Sequence, residues 1–392
     1  MIFENLLAKR MSRLGTETAF EVLARARKLE AQGKEIIHLE IGEPDFDTPV
    51  NIRDAAKHAL DNGFTHYTPA AGLPAVRQGI ADYIFRQKNV HASAEEVVVV
   101  PGGKPIMFYV MLALIEQGDE VLYPNPGFPI YESCINFAGG TAVPLPLLEE
   151  NDFRLDIDDL AAKITPRTKL IIINTPANPT GGLLTPDDIR RIADLVRETN
   201  ILVLSDEIYD RMIYEGEALS IASLPGMKDR TIILDGFSKT YAMTGWRLGY
   251  GVMHPFLAEK VTKLMVNSNS CTAAFTQMAG LEALTGPQHE VTAMVKEFRV
   301  RRDLLVAGLN SIPGVTCRVP KGAFYAFPNI SSFGRPAKVV ADYLLEEAGV
   351  AALGGTAFGV YGEGHLRFSY ANSQDNLRKA VERIDHALAK WR

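Results

Sequence analysis

Between residues 96 and 252 the chain alternates short apolar runs with amphipathic stretches. The runs at 96–100, 120–123, 141–145, 170–174, 202–205, 231–235 and 248–252 are predicted strands. Helix-like segments separate many of them, for example 105–116 and 186–199. Such alternation predicts an α/β fold with a mainly parallel sheet covered by helices. Upstream, the spacing of Phe20, Leu23, Ala24, Ala26 and Leu29 predicts a helix over 18–32, ending at Gly33 and followed by a short strand over 35–41. Beyond Pro287 a long periodic segment reaches about Asn310; short strands at 323–327 and 366–369 and helices near 337–348 and 374–390 follow. This change of texture predicts a smaller α+β domain, which the N-terminal helix joins because the large sheet leaves it no slot. The expected division is 48–288 for the large domain, with 1–47 and 289–392 forming the small one.

Length supports two domains, since 392 residues exceed what one hydrophobic core usually covers. A net charge of −6 leaves no electrostatic footprint for nucleic acid or an anionic membrane, so a small molecule is the expected partner. The longest apolar run, 106–115, is half a bilayer span and is expected to be a buried helix. The first residues mix charges at once, and a cytoplasmic protein is expected. Cys134, Cys271 and Cys317 are scattered; they read as buried apolar residues, with no metal site expected.

In an open α/β sheet, ligands bind beyond the carboxyl ends of the strands, and unusual residues collect there. The 231–235 strand leads into Gly236-Phe237-Ser238-Lys239, and a buried lysine of lowered basicity can form a Schiff base. Asp206 ends another strand and can pair with a protonated ring nitrogen; Tyr209 follows within reach of the same ring. The turn Thr175-Pro176-Ala177-Asn178-Pro179 can hold the Asn178 amide against a ligand oxygen. Gly102-Gly103-Lys104-Pro105 opens a helix where backbone N–H groups can approach an anion. Arg247 lies close after Lys239, too near for a parallel crossover, so the two flanking strands should be antiparallel with both side chains at one sheet edge. Phe128 can stack on a planar ring. Taken singly, each has a plainer reading: a surface lysine, a capping aspartate, a turn, a salt bridge, a core aromatic.

Together these residues resemble the fold-type I, class I/II aminotransferases that depend on pyridoxal 5′-phosphate, nearest their bacterial and archaeal aspartate-aminotransferase-like branch. The carrying segments span almost the whole chain: Gly42-Glu43-Pro44-Asp45-Phe46, Tyr67-Thr68-Pro69, Asn178-Pro179-Thr180-Gly181, Ser205-Asp206-Glu207-Ile208-Tyr209, Ser238-Lys239 with Gly245-Trp246-Arg247-Leu248-Gly249, and Leu366-Arg367-Phe368-Ser369-Tyr370. The resemblance implies a three-layer fold with a seven-stranded sheet and a small α+β domain. It implies Lys239 as Schiff-base lysine and proton carrier, Asp206 on the ring nitrogen, and Tyr209 and Asn178 on the ring oxygen. The phosphate would be held by Gly103, Lys104, Ser238 and Arg247, with Tyr67 arriving from a second subunit of a homodimer. Phe128 would stack on the ring, and Arg367, Asn178 and Gly42 would bind the substrate α-carboxylate.

The implied reaction moves an amino group between an L-amino acid and a 2-oxo acid by a ping-pong mechanism. Lys104 resembles the lysine of acidic-substrate members, and Thr16 a neighbouring N-terminal position, so aspartate, glutamate and 2-oxoglutarate are the expected substrates. A β-lyase on the same fold is the alternative, because Lys239 would abstract the same proton. Phe128 stands where tryptophan or tyrosine is common, and Ala177 where an additional asparagine is common.

Overall fold

A computed structural model describes residues 6–391. Its first strand, β1 (Ile37–His38), is followed by β2 (Val97–Val100), β3 (Glu120–Asn125), β4 (Thr141–Pro146), β5 (Thr168–Asn174), β6 (Leu202–Asp206), β7 (Thr231–Gly236) and β8 (Gly249–Val252). The C-terminal part adds β9 (Tyr325–Ala326), β10 (Val350–Ala351), β11 (Leu353–Gly354) and β12 (Leu366–Ser369). Seven of these form one sheet in the order β2-β8-β7-β6-β5-β3-β4. Only β8 is antiparallel to its neighbours.

Helices cover both faces, and the valines of β2 show why. Side chains alternate along a strand, so Val97 and Val99 enter one apolar core while Val98 and Val100 enter another on the opposite face. Each of the four is 0% exposed, which only a strand enclosed on both faces permits. The apolar run at 106–115 falls on the helix Lys104–Leu114, whose Ile106, Met107, Tyr109, Val110 and Met111 are buried against the sheet while Leu112 is exposed. No helix among the described residues is long and apolar enough to cross a membrane.

The remaining strands form a pair, β1-β10, and a three-stranded sheet, β11-β12-β9. They share a core with the long helix His289–Ser311 and the C-terminal helix Gln374–Ala389, centred on Phe298, Phe324, Phe368 and Tyr370. The helix Thr18–Glu30 leans on this part through Arg25, which is 2.5 Å from Asp342 and 3.0 Å from Glu346.

Three expectations change. The strand expected over 35–41 shortens to Ile37–His38, the only residues that pair with β10. The strand expected over 323–327 shortens to β9 because Ala323 has a positive φ of 56°, incompatible with a ladder. Cys134 and Cys317 are buried, but Cys271 is half-buried, at 3.5 Å from the Thr68 amide.

Candidate active site

The carboxyl ends of β5, β6 and β7 lie level, since Asn174 is opposite Asp206 and Asp206 opposite Leu234. The antiparallel register then fixes the next strand, with Gly236 opposite Gly249. Lys239 and Arg247 flank the link between β7 and β8, so both sit at this same edge, as their spacing predicts. A cavity of about 500 Å³ opens there.

Lys239 faces that cavity, and its Nζ donates to the Gly42 carbonyl. Burial pulls its pKa down to about 8; Arg367 and Lys104 push the same way, while Glu43 and Glu17 oppose. A lysine so placed is partly neutral near physiological pH and can act as nucleophile or base.

Asp206 is buried at the end of β6, where its Oδ2 accepts from the Tyr131 hydroxyl at 2.6 Å and its Oδ1 from the Ile208 amide at 3.3 Å. Burial lifts its pKa to about 6, against the stabilising bonds from Tyr131 and Ile208. A cation entering the cavity would restore full ionisation.

On the anion side, Gly102 has φ +87°, and a Cβ there would meet Arg247 Nη2 at 2.1 Å. Glycine is what lets this loop close over the guanidinium. Gly103, the first turn of the helix Lys104–Leu114, Ser238 and Arg247 together line a cradle for a phosphate-sized anion. Arg247 is held by a 2.7 Å bond to the Thr244 carbonyl.

Opposite, Arg367 on β12 reaches the cavity with its guanidinium stacked 4.6 Å from the Tyr325 ring and 4.8 Å from the Phe358 ring. It donates to Asn178 Oδ1 at 3.2 Å and to the Glu40 carbonyl. Its Nε is buried and has no hydrogen-bond partner among the described residues. A buried unsatisfied donor is costly, and a carboxylate in the cavity would satisfy it. Tyr209 and Tyr325 share a 2.7 Å hydroxyl–hydroxyl bond beside it. Gly42 makes room for this pair, since a Cβ would overlap the Tyr325 hydroxyl at 2.1 Å. Phe128 also lines the cavity, edge-on to Tyr131 at 5.7 Å.

The strand ends are braced from behind. Lys88 Nζ, only 5% exposed at its side chain, lies 2.7 Å from Glu207, 2.7 Å from Asp210 and 3.0 Å from Asp235. Glu207 follows Asp206 and Asp235 precedes Gly236, so one lysine ties β6 to β7 directly beneath the site.

Of the expected residues, Gly42, Gly103, Lys104, Phe128, Asn178, Asp206, Tyr209, Ser238, Lys239, Arg247 and Arg367 all line this one cavity. Thr16 and Tyr67 do not. Tyr67 is 90% exposed on the outer surface. Thr16 stops short, and its neighbour Glu17 reaches in to pair with Lys104. Sequence reading also missed Tyr131, Tyr325 and Phe358, which sit in ordinary apolar contexts and carry no motif.

Residues 34–384 match the family model described as aminotransferase class I and II. The chain belongs to this family. It is 41% identical to an aspartate aminotransferase of Pyrococcus horikoshii over 97% of this chain and 97% of that protein. It is also 41% identical to aromatic-amino-acid aminotransferase 2 of Thermococcus litoralis, over 91% of this chain and 93% of that protein. Among solved structures, the aspartate aminotransferase of Thermus thermophilus with maleate superposes with a TM-score of 0.93 at 37% identity, covering 97% of this chain and 99% of that one. The class I/II aminotransferase is thus an enzyme dependent on pyridoxal 5′-phosphate, with the three-layer fold expected of it. It transfers an amino group between an amino acid and a 2-oxo acid, and these relatives favour transfer over the lyase alternative.

Proposed function

We propose that the cavity holds pyridoxal 5′-phosphate with Lys239 on its aldehyde carbon, Asp206 on its ring nitrogen, and Tyr209 and Asn178 on its ring oxygen. Gly103, the Lys104 backbone, Ser238 and Arg247 hold the phosphate, and Phe128 lies against the ring. The residues fit the group: a partly neutral buried lysine, a buried carboxylate needing a cation, and a glycine cradle closed by an arginine line one cavity of about 500 Å³. When bound, the cofactor supplies a carbonyl for the amino group and a protonated ring that takes up the electron pair left at Cα.

The protein's part is positioning and proton movement. Arg367, with its unsatisfied Nε, grips the substrate α-carboxylate, helped by Asn178 and the Gly42 backbone. That grip turns the Cα–H bond toward Lys239, an orienting effect that contributes several kcal/mol to lowering the barrier. Lys239 carries the proton between Cα and the cofactor's reacting carbon, and Asp206 keeps the ring nitrogen protonated. Two such half-reactions in turn complete a ping-pong transfer.

We further propose that the substrates are acidic: aspartate or glutamate with 2-oxoglutarate. The observation that carries this is Lys104, whose ammonium stands 5.4 Å from the centre of the Phe128 ring in the same cavity as Arg367, offering a second cation to a second carboxylate. A panel of amino donors tested against 2-oxoglutarate and pyruvate checks it. Lys104→Ala should raise the KM for the acidic donor roughly two- to fivefold, the range of a partly exposed ion pair. Unchanged KM and kcat would remove Lys104 from substrate binding.

The 90% exposure of Tyr67 supports a homodimer in which the partner subunit's Tyr67 reaches this phosphate site. Sedimentation equilibrium should then find a dimer under assay conditions; a fully active monomer would refute it. We place the enzyme in the cytoplasm, and the large and small domains at 48–288 and at 1–47 with 289–392. A core around Phe298, drawn mainly from 289–392, supports that division, while a further core joins the two parts by packing Val22, Phe327 and Leu353 against Leu122 and Ile171 of the sheet.

A further inference from the structure

We infer that Glu17 is a specificity-determining residue: an internal carboxylate that holds Lys104 when the substrate brings no acidic side chain and releases it when one arrives. This rests on the reading of Lys104 as a substrate-facing cation.

Glu17 stands at the N-cap position of the helix Thr18–Glu30, where a side chain would ordinarily accept from the first backbone amides. It makes no such bond, and its carboxylate instead pairs with the Lys104 ammonium. The pair crosses the cavity mouth between the first residue of the helix Lys104–Leu114 and a helix anchored through Arg25 to Asp342 and Glu346. Glu17 is the more enclosed partner, with its side chain 18% exposed against 47% for Lys104.

The field of Glu17 reaches further than Lys104. It raises the basicity of both Lys239 and Arg367, so its carboxylate faces the cations between which a substrate would lie. A negative group already there competes with any acidic side chain.

The same pair suits a neutral side chain. With Glu17 in place the charge of Lys104 is cancelled, and Phe128 and the exposed ring of Phe20 furnish an apolar wall beside it. Without Glu17, an apolar side chain would press against an unpaired ammonium, which is unfavourable. An acidic substrate exchanges one carboxylate partner of Lys104 for another, while Glu17 turns out to water from the cavity mouth. One pocket thereby takes two side-chain classes, and Glu17 lowers the affinity for the acidic one.

The test uses the holoenzyme and two unreactive carboxylates, glutarate and 3-phenylpropionate, titrated by the visible absorbance of the bound cofactor. Glu17→Gln keeps the shape and removes the charge. Its Kd for glutarate should fall roughly two- to fivefold relative to its Kd for 3-phenylpropionate. In a Lys104→Ala background the same substitution should shift that ratio by a clearly smaller factor, because only the direct repulsion by Glu17 is then relieved. An unchanged ratio in Glu17→Gln, or a shift of equal size without Lys104, overturns the inference. A wild-type enzyme that turns over no acidic donor sinks the substrate reading alone, because the ratio of the two dissociation constants still reports on Glu17.

Discussion

Lys239→Ala is expected to abolish the Schiff-base absorbance band, leaving that of the free aldehyde, and to lower kcat by at least about 10⁴-fold. Two losses combine: the nucleophile that carries the cofactor and the base that moves the Cα proton, the latter alone supplying roughly 10²- to 10⁴-fold. The cofactor itself should stay in the protein, because the anion cradle of Gly103, Ser238 and Arg247 does not involve the lysine. Equilibrium dialysis separates that outcome from simple loss of cofactor, and retained turnover would overturn the assignment. The wild-type apoenzyme offers a companion measurement. Burial lowers the Lys239 pKa to about 8, so the neutral, reactive amine gains as pH rises and saturates above that value. At pH 7 roughly one lysine in ten is neutral, against roughly one in three thousand at the ordinary lysine pKa. The rate of cofactor attachment should therefore climb with pH, reach half its maximum near 8 and level off above it.

Asp206→Asn should behave differently. The substitution preserves shape, and the Tyr131 hydroxyl, 2.6 Å away, can still donate to the remaining carbonyl. What disappears is the buried negative charge proposed to pair with the ring nitrogen. Removing a preorganised charge of this kind lowers kcat by roughly 10²- to 10³-fold, while the visible absorbance persists because Lys239 is untouched. A kcat within tenfold of wild type would dismiss the role. The pH dependence has the opposite sign to that of Lys239. The folded pKa of Asp206 is raised to about 6, so below that value the carboxyl is protonated and cannot pair with a cation. Cofactor affinity should weaken as pH falls through 6, and Asp206→Asn should flatten that fall.

Much of this site was legible because its residues lie at ends of strands that the apolar runs reveal. Asp206 and Asn178 follow such runs directly. The short spacing from Lys239 to Arg247 predicts an antiparallel pair, and β7 and β8 form it. Residues that act on those groups were not legible. Tyr131 reaches Asp206 from across the sheet, and Tyr325 comes from β9, a two-residue strand in a stretch that reads only as apolar. Glu17 could not be separated from Thr16 by pattern, because a one-residue difference at the start of a helix turns on the direction of a side chain. Likewise, the link of Lys88 to Glu207, Asp210 and Asp235 joins segments far apart in the chain, and no local spacing announces it.

The tight reversal between β7 and β8 divides the site by how far the chain must travel to build it. Lys239 and Arg247 come together through one local turn, which needs little loop-closure entropy and forms early or late with equal ease. Arg367 depends on Asn178 and Glu40, separated from it by 189 and 327 residues. The lysine and the arginine of the phosphate side therefore come from nearby chain, whereas the Arg367 side of the cavity requires both ends of the polypeptide to have found each other. A molecule whose two ends have not docked keeps the Lys239–Arg247 edge and lacks the grip of Arg367.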